Sequence, residues 1–190
     1  MYSYTTPNSE LISTLSLQLH PEGGYFAETE RLADEVPSPY ADGQPRSLAT
    51  EIYYLLAPSS PRGRMHMNKS ATFHVLHSGR SLYTLMRPSS VAGGPPEIEH
   101  AIMGEDHSKG EVRQLFVPGG WWKASEIPAE DLKSGEKERV GALITEVVVP
   151  GFHWEDHAFL NKEELLKIYG GDENAEGYKK LESYTQAISN

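Results

Sequence analysis

Two strand-like runs of the sequence each place an ionisable side chain where it could move a proton. Side chains alternate between the two faces of a strand, so within residues 71–77 His74 shares a face with Thr72. Within residues 140–149, Glu146 falls in a row of apolar side chains. A carboxylate buried in such a row is costly without a partner, and groups placed this way are often catalytic or binding groups with a shifted pKa. An edge strand with Glu146 in solvent is the alternative interpretation.

Histidines near His74 in the sequence suggest a metal site as a second hypothesis. His66, His74 and His77 lie in one strand-turn-strand region, and imidazole nitrogens are common zinc ligands. His153 and His157 are four residues apart, but the glutamate between them does not directly follow the first histidine. The His-Glu-x-x-His pattern of metalloproteases is therefore absent.

A third chemistry-bearing segment is Val-Pro-Gly-Gly-Trp-Trp-Lys at residues 117–123. An aromatic ring beside a cation suits an organic ligand, so Trp122 is predicted to stack on it. Lys123 is predicted to hold a carboxylate, phosphate or enolate oxygen. Core packing of the tryptophan and a solvated lysine are the alternatives.

Composition excludes several classes of function. The chain has 190 residues, no cysteine and a net charge of −10, which disfavours nucleic acid and anionic membranes as partners. Gly-x-Ser-x-Gly, Walker and Gly-x-Gly-x-x-Gly motifs are absent. The polar first residues do not resemble a signal peptide, so we expect a cytoplasmic protein.

The elements that must position these residues are mostly short strands separated by breaks rich in proline and glycine, a pattern typical of a sandwich or barrel. The predicted strands are residues 50–56, 71–77, 81–86, 111–117 and 140–149. Asn8 is predicted to cap a short helix that closes before His20, and a polar loop is predicted over residues 31–46. We predict a single domain, residues 1–190, with a barrel over about residues 18–160 and a helical tail over residues 161–190. In the tail, Asn161 and Asp172 are the predicted helix caps.

Several blocks in order resemble one known family. They are HPEGGYFAE at residues 20–28, TEIYYLL at 50–56, Arg64 to His66 leading to His77-Ser78-Gly79, Gly110-Glu111, VPGGWWKA at 117–124 and EVVVPGFHWED at 146–156. The chain is similar to the cupin-superfamily branch of unknown function marked by the HPEGGYF segment. The resemblance implies a mainly β fold, a double-stranded β-helix or jelly-roll-like barrel, and a homodimer.

The resemblance also bears on cofactors. In metal-binding cupins the first motif supplies His-x-His and a glutamate, and the second supplies a histidine. Here His66 matches the first histidine, but Asn68, Thr72 and Lys123 stand at the other three positions. We therefore expect no metal and no other cofactor, since lost ligands are lost affinity. A different set of His66, His74 and Glu146 with zinc or iron stays open.

We expect the barrel to bind a small polar, anionic metabolite and to act on it by metal-independent proton transfer, as an isomerase, epimerase or lyase. The predicted catalytic residues are His66, His74, Glu146 and Tyr53. The predicted ligand-binding residues are Glu22, Tyr25, Tyr83, Gln114, Trp122 and Lys123. A non-catalytic binding protein and a metal-dependent, dioxygenase-like cupin are the alternatives.

Overall fold

Two antiparallel sheets form the body of the protein in a computed structural model that describes residues 3–87, 89, 91 and 94–185. The first sheet has the order β1-β2-β5-β12-β7-β10, the second the order β13-β6-β11-β8-β9, and β3 pairs with β4. The strands are β1 (Gln18–Leu19), β2 (Tyr25–Arg31), β3 (Glu35–Pro37), β4 (Pro45–Ser47), β5 (Thr50–Leu56), β6 (His66–Asn68), β7 (Ala71–Gly79), β8 (Ser81–Arg87), β9 (Glu97–Met103), β10 (Gln114–Val117), β11 (Trp122–Glu126), β12 (Ala142–Val149) and β13 (His157–Phe159).

The main core lies between the two sheets. Tyr54 and Ile144 from the first sheet pack in one cluster with Tyr83, Leu85 and Met103 from the second. Strand β12 lies between β5 and β7, and both of its faces carry apolar side chains because both are packed: Ile144 lies in the main core and Leu143 packs with Leu17 and Leu55 on the other side. The two sheets thus enclose an interior onto which alternate residues of each strand face.

The strand predictions are correct in the centre of the sheets and less exact at their ends. Strand β5 has the predicted bounds, whereas β10 starts only at Gln114. Glu111, predicted as strand, is instead buried in an ion pair with Arg80, 2.8 Å between Oε1 and Nε. The predicted loop over residues 31–46 contains the small β3–β4 ladder.

Three short α-helices stand outside the sheets in the described part of the chain: α1 (Asn8–Thr14), α2 (Lys162–Ile168) and α3 (Glu176–Leu181). Asn161 caps α2 as predicted, its Oδ1 accepting from the Glu164 N–H at 2.8 Å. Asn8 does not cap α1, because its amide donates to the carbonyl of Val140 at 2.9 Å. Asp172 does not cap α3, which begins after Ala175.

The tail helices cover the outer face of the second sheet. Leu165, Tyr178 and Leu181 pack in a second apolar cluster with Met86 and Ala124. Among the described residues, no helix is long and apolar enough to cross a membrane.

Candidate functional site

A cavity of about 280 Å³ opens at one end of the barrel. Its wall combines apolar and aromatic side chains with acids, imidazoles, a guanidinium and an amide. The lining residues are His20, Glu22, Phe26, Glu28, Arg31, Thr50, Ile52, Asn68, Glu146, Val148, Phe152, His153 and Trp154. A concave, mostly apolar space with a few convergent polar groups is typical of a small-molecule site.

Strand register sets the first-sheet wall of the cavity. Glu28, Ile52 and Glu146 are opposite one another on β2, β5 and β12, and His74 of β7 is opposite Glu146. Side chains of one row share a face of the sheet. The row therefore brings Glu146 beside His74 at the inner end of the cavity.

Around Glu146 lies a cluster of four side chains, the Lys123 cluster, made of Thr72, His74, Lys123 and Glu146. The ammonium of Lys123 donates to Thr72 Oγ1 at 3.1 Å, to His74 Nε2 at 3.1 Å and to Glu146 Oε1. An ammonium has three donors, so all of them are used within the cluster. His74 in turn donates from Nδ1 to the carbonyl of Leu115 at 3.1 Å.

This arrangement fixes the charge of Glu146. Burial alone would raise the pKa of its carboxyl, but the neighbouring Lys123 and His74 outweigh burial and hold that pKa well below its usual value. Glu146 is therefore an ionised carboxylate at neutral pH, paired with the buried ammonium of Lys123. Tyr83 packs beside the cluster, its ring centroid 5.2 Å from that of His74, and burial raises its pKa well above the ordinary value.

A second group of ionisable side chains, the Glu22 cluster, is made of Glu22, His66 and His157. His157 Nε2 is 2.7 Å from Glu22 Oε1, and His66 Nε2 is 3.3 Å from Glu22 Oε2. The two imidazole rings stack with centroids 5.4 Å apart. One ligand atom from each of the three residues lies within 4.8 Å of the others.

Local structure explains how residues so distant in sequence meet. Gly23 and Gly24 have φ of 98° and 73°, a left-handed conformation that favours glycine, and a Cβ on Gly24 would come within 2.8 Å of the Leu55 carbonyl. The turn before β2 thereby lies against β5 and delivers Glu22 to the cavity. His157 lies close to Glu22 because β13 pairs with β6. The turn before β13 is held by Arg46, whose Nε donates to Asp156 Oδ2 at 2.8 Å.

The pKa values of the Glu22 cluster depart from the usual ones. Burial disfavours the Glu22 carboxylate, but His66, His157 and His20 together prevail and lower its pKa to about 2. Burial lowers the pKa of His66 to about 4, although Glu22 opposes the shift. Burial also lowers the pKa of His20. At neutral pH the cluster therefore combines an ionised carboxylate with a neutral His66 ring.

Asn68 carries a polar atom with no partner. Its side chain lines the cavity and is 7% exposed, and no described residue forms a hydrogen bond with its Oδ1. Buried polar groups almost always have a partner, so such an atom calls for a ligand, an ion or an ordered water.

The structure divides three of the four predicted catalytic residues between the two clusters. Glu146 lines the cavity, while His74 and Lys123 lie behind it with their polar atoms engaged. His66 belongs to the Glu22 cluster, so the set of His66, His74 and Glu146 does not form one metal-ligating group in the described part of the chain. Lys123 is predicted to hold an anionic ligand, but in the structure its ammonium forms an ion pair with Glu146.

Four predicted site residues face away from the cavity, and the expectation for each is corrected. Tyr53 packs with Leu17 and Leu55 on the outer side of β5, so Tyr54 is the inward tyrosine of that strand. Tyr25 lies on the same outer side and its hydroxyl contacts Ser59. Gln114 is exposed on β10, and Trp122 packs under the tail helices.

Sequence reasoning missed His20 and His157 as site residues. His20 lines the cavity, and its Nδ1 accepts from the Glu22 N–H at 3.1 Å. His157 lies on a three-residue strand with no periodic pattern of its own. The available signal was the resemblance to a known family, because His20 begins its HPEGGYF block and His157 directly follows its HWED block.

The four positions that correspond to metal ligands in other cupins do not suit a metal here. His66 points to Glu22, and Lys123 places an ammonium between Thr72 and Glu146. A protonated lysine repels a cation and has no lone pair. At these positions the Lys123 ammonium thus supplies the positive charge that pairs with the Glu146 carboxylate.

Comparisons with known proteins agree with this architecture. Residues 9–160 match the family described as cupin superfamily (DUF985). The uncharacterized protein YML079W of Saccharomyces cerevisiae is 41% identical, over 87% of this chain and 81% of that protein. A hypothetical protein from Leishmania major has a similar structure, with a TM-score of 0.74, 27% identity and coverage of 89% of this chain and 96% of that one. Protein SO0799 from Shewanella oneidensis gives a TM-score of 0.70 at 24% identity, covering 98% and 99%. The homodimer and the cytoplasmic location stay predictions, whereas the fold and the matched family agree: the chain belongs to the DUF985 family of the cupin superfamily.

Proposed function

We propose that the cavity binds a small anionic carbonyl compound and that the protein transfers a proton at the carbon next to the carbonyl, as an isomerase, epimerase or lyase. The observation that carries this proposal is that an ionised carboxylate, Glu146, and an imidazole, His20, line the same cavity. A carboxylate base paired with a neutral imidazole that polarises the carbonyl is a recurring solution for enolisation.

Each group has a role that follows from its hydrogen bonds. The Nδ1 of His20 accepts from a backbone N–H, so the neutral ring carries its proton on Nε2 and donates from there. Glu146 keeps Oε1 on Lys123, and its Oε2, which is 3.2 Å from His74 Nε2, is the oxygen that would accept the proton from carbon. As Glu146 takes the proton, the C–H electron pair forms the carbon–carbon double bond, the C=O π pair moves onto the oxygen, and the resulting enolate oxygen accepts a hydrogen bond from His20.

The cation nearest the ligand's acidic group would be Arg31. Its guanidinium lines the cavity and is 43% exposed, bound to Glu28 at 2.8 Å and to the Phe152 carbonyl at 3.1 Å. An exposed ion pair of this kind contributes about 0–1 kcal/mol, so a ligand carboxylate or phosphate can replace Glu28 at small cost. The aromatic wall formed by Phe26, Phe152 and Trp154 would cover the rest of the molecule.

Hydrogen–deuterium exchange at carbon tests the proposal. The protein is incubated in D₂O with a panel of small oxo acids and sugar phosphates, and loss of the C–H signal is followed by proton NMR. We expect exchange in at least one compound that also raises the melting temperature, and a loss of at least about 100-fold in Glu146→Gln, the size of a typical general-base contribution.

The matched control is Glu51→Gln, because Glu51 neighbours Ile52 on β5 but belongs to the opposite face. This variant should exchange at the unmodified rate. If compounds bind and none exchanges, the protein is a binding protein and the catalytic proposal is wrong.

A further inference from the structure

The Glu22 cluster offers the donor set of a metal site. Its three ligand atoms, two imidazole nitrogens and a carboxylate oxygen, lie within 4.8 Å of one another. Zinc and iron(II) are held in proteins by this combination of two histidines and one carboxylate. Two ligand atoms at about 2.0–2.1 Å from a tetrahedral metal are separated by about 3.3–3.4 Å. The separation of His66 Nε2 from Glu22 Oε2 is 3.3 Å, whereas His157 Nε2 is 2.7 Å from Glu22 Oε1, a hydrogen bond that a metal would replace.

Hydrogen bonding gives a reason why a cation belongs there. His66 Nδ1 is 2.9 Å from the carbonyl of Arg64, and a carbonyl only accepts, so Nδ1 carries the hydrogen. The neutral ring then directs the lone pair of Nε2 at a carboxylate oxygen, which places two acceptors face to face in a buried site. A cation between them turns both into ligands. An Nδ1–H bound to a backbone carbonyl is also the usual second-shell support of a metal-ligating histidine.

Asn68 supplies an independent observation. It lines the same cavity as Glu22, is 93% buried, and its Oδ1 has no hydrogen-bond partner among the described residues. It lies two residues after His66 on β6 and so shares the inward face of that strand. An amide oxygen can ligate a metal directly or accept from a metal-bound water.

We propose that Glu22, His66 and His157 bind one first-row divalent cation, zinc or iron(II), whose remaining positions open to the cavity. Only His66 is shared with the metal positions of other cupins, and Lys123 stands at one of the other three. The sequence predicted no metal at those positions, and the other set that it left open, His66, His74 and Glu146, shares only His66 with the site proposed here. The new site does not depend on which small molecule the cavity takes.

Metal binding is measured with the metal alone. Full-length protein is stripped with a chelator, shown to be folded by circular dichroism, and titrated with Zn²⁺ by calorimetry and with Co²⁺ by visible absorption. We expect one tight equivalent. In Glu22→Gln and in His157→Gln we expect a loss of more than about 100-fold in affinity, beyond the range that outer-shell changes produce. Glu22→Gln should keep its melting temperature within a few degrees in the absence of metal.

Two controls separate this site from its neighbours. His153→Ala removes an exposed histidine close to His157, and Glu146→Gln removes another carboxylate that lines the cavity. Both should bind Zn²⁺ as tightly as the unmodified protein. Binding that survives Glu22→Gln and His157→Gln, or that Glu146→Gln abolishes, would overturn the proposal.

Because His157 is buried and its variant could fail to fold, the unmodified protein gives a second test. X-ray absorption of the zinc-loaded protein should show two imidazole nitrogens at about 2.0–2.1 Å. A stripped, folded protein that takes up no stoichiometric Zn²⁺, or a site with no imidazole or with three, would contradict the assignment.

Discussion

The Lys123 cluster and the Glu22 cluster are two solutions to the same problem of a buried carboxylate. Glu146 has Lys123 as a fixed counter-charge, and every donor of that ammonium is used. Glu22 has only imidazoles around it, and one of them turns a lone pair toward the carboxylate. Charge is balanced inside the first cluster and unbalanced in the second.

The difference explains where chemistry is expected. A saturated ion pair holds its members in place, with Glu146 Oε1 on Lys123 and Glu146 Oε2 3.2 Å from His74 Nε2. The Glu22 cluster has no ammonium to balance its carboxylate, and Asn68 Oδ1 on the same cavity has no partner among the described residues. The cluster can therefore take a cation or a substrate. The internal lysine therefore stabilises the barrel, and the Glu22 cluster is the more adaptable half of the site.

The largest expected effect comes from breaking the saturated cluster. Lys123→Met leaves Glu146 buried without its cation and should lower the free energy of unfolding by about 3–5 kcal/mol. The double variant Lys123→Met/Glu146→Leu removes both charges and should recover most of the loss. Urea unfolding at pH 7 measures all three proteins.

Lys162→Met is the matched control for the lysine substitution. Lys162 pairs with Glu182 at 2.9 Å, but its side chain is 61% exposed, so its loss should cost no more than about 1 kcal/mol. Equal costs for Lys123→Met and Lys162→Met would show that the buried pair has no special part in the fold.

A pH titration sharpens the comparison further. The pKa of Glu146 is lowered on folding, so the unfolded chain binds one more proton below about pH 4.5 and stability falls as the pH falls. The stabilisation is complete above that pH. Glu146 should contribute a slope of about 1.4 kcal/mol per pH unit, which Glu146→Gln lacks. Urea unfolding between pH 3 and pH 7 compares the slopes, and parallel curves would refute the assignment.

The smallest effect is expected at Asn68, where stability and binding should move in opposite directions. An unpartnered amide in a buried place costs free energy, so Asn68→Leu should leave the metal-free protein as stable as before or up to about 1 kcal/mol more stable, while weakening Zn²⁺ binding. Thermal unfolding measures the change in stability, and calorimetry measures the change in Zn²⁺ affinity.

Asn8→Leu provides the contrast for this prediction. Asn8 is just as buried, but its amide donates to the carbonyls of Val140 at 2.9 Å and Lys137 at 3.2 Å. Removing it should cost about 1–3 kcal/mol, because a buried carbonyl is left without a donor. A similar loss in Asn68→Leu would mean that Asn68 is satisfied in solution by the protein itself.

Strand alternation predicted part of the site correctly and could not predict the rest. It located His74 and Glu146, which are opposite each other in the first sheet. It failed at Tyr53, because both faces of β5 are apolar and the pattern does not say which one faces the cavity. A two-sided strand takes its orientation from tertiary packing, which local sequence does not encode.

The Glu22 cluster could not be predicted from the sequence, for a different reason. His157 contacts Glu22 across 135 residues, through the pairing of two three-residue strands. Strands that short carry no periodic signal, and their register depends on a turn held by a buried ion pair of Arg46 with Asp156. The barrel itself was predictable, because the blocks that resemble the family span most of it.

An anomalous difference map tests the central claim most directly. Crystals of the chain grown with one equivalent of Zn²⁺ and measured at the zinc edge should show one strong peak between the side chains of Glu22, His66 and His157. No peak should lie in the Lys123 cluster, where the ammonium already balances Glu146. A peak beside Glu146, or zinc found only on surface histidines, would contradict the account of a saturated and an open cluster.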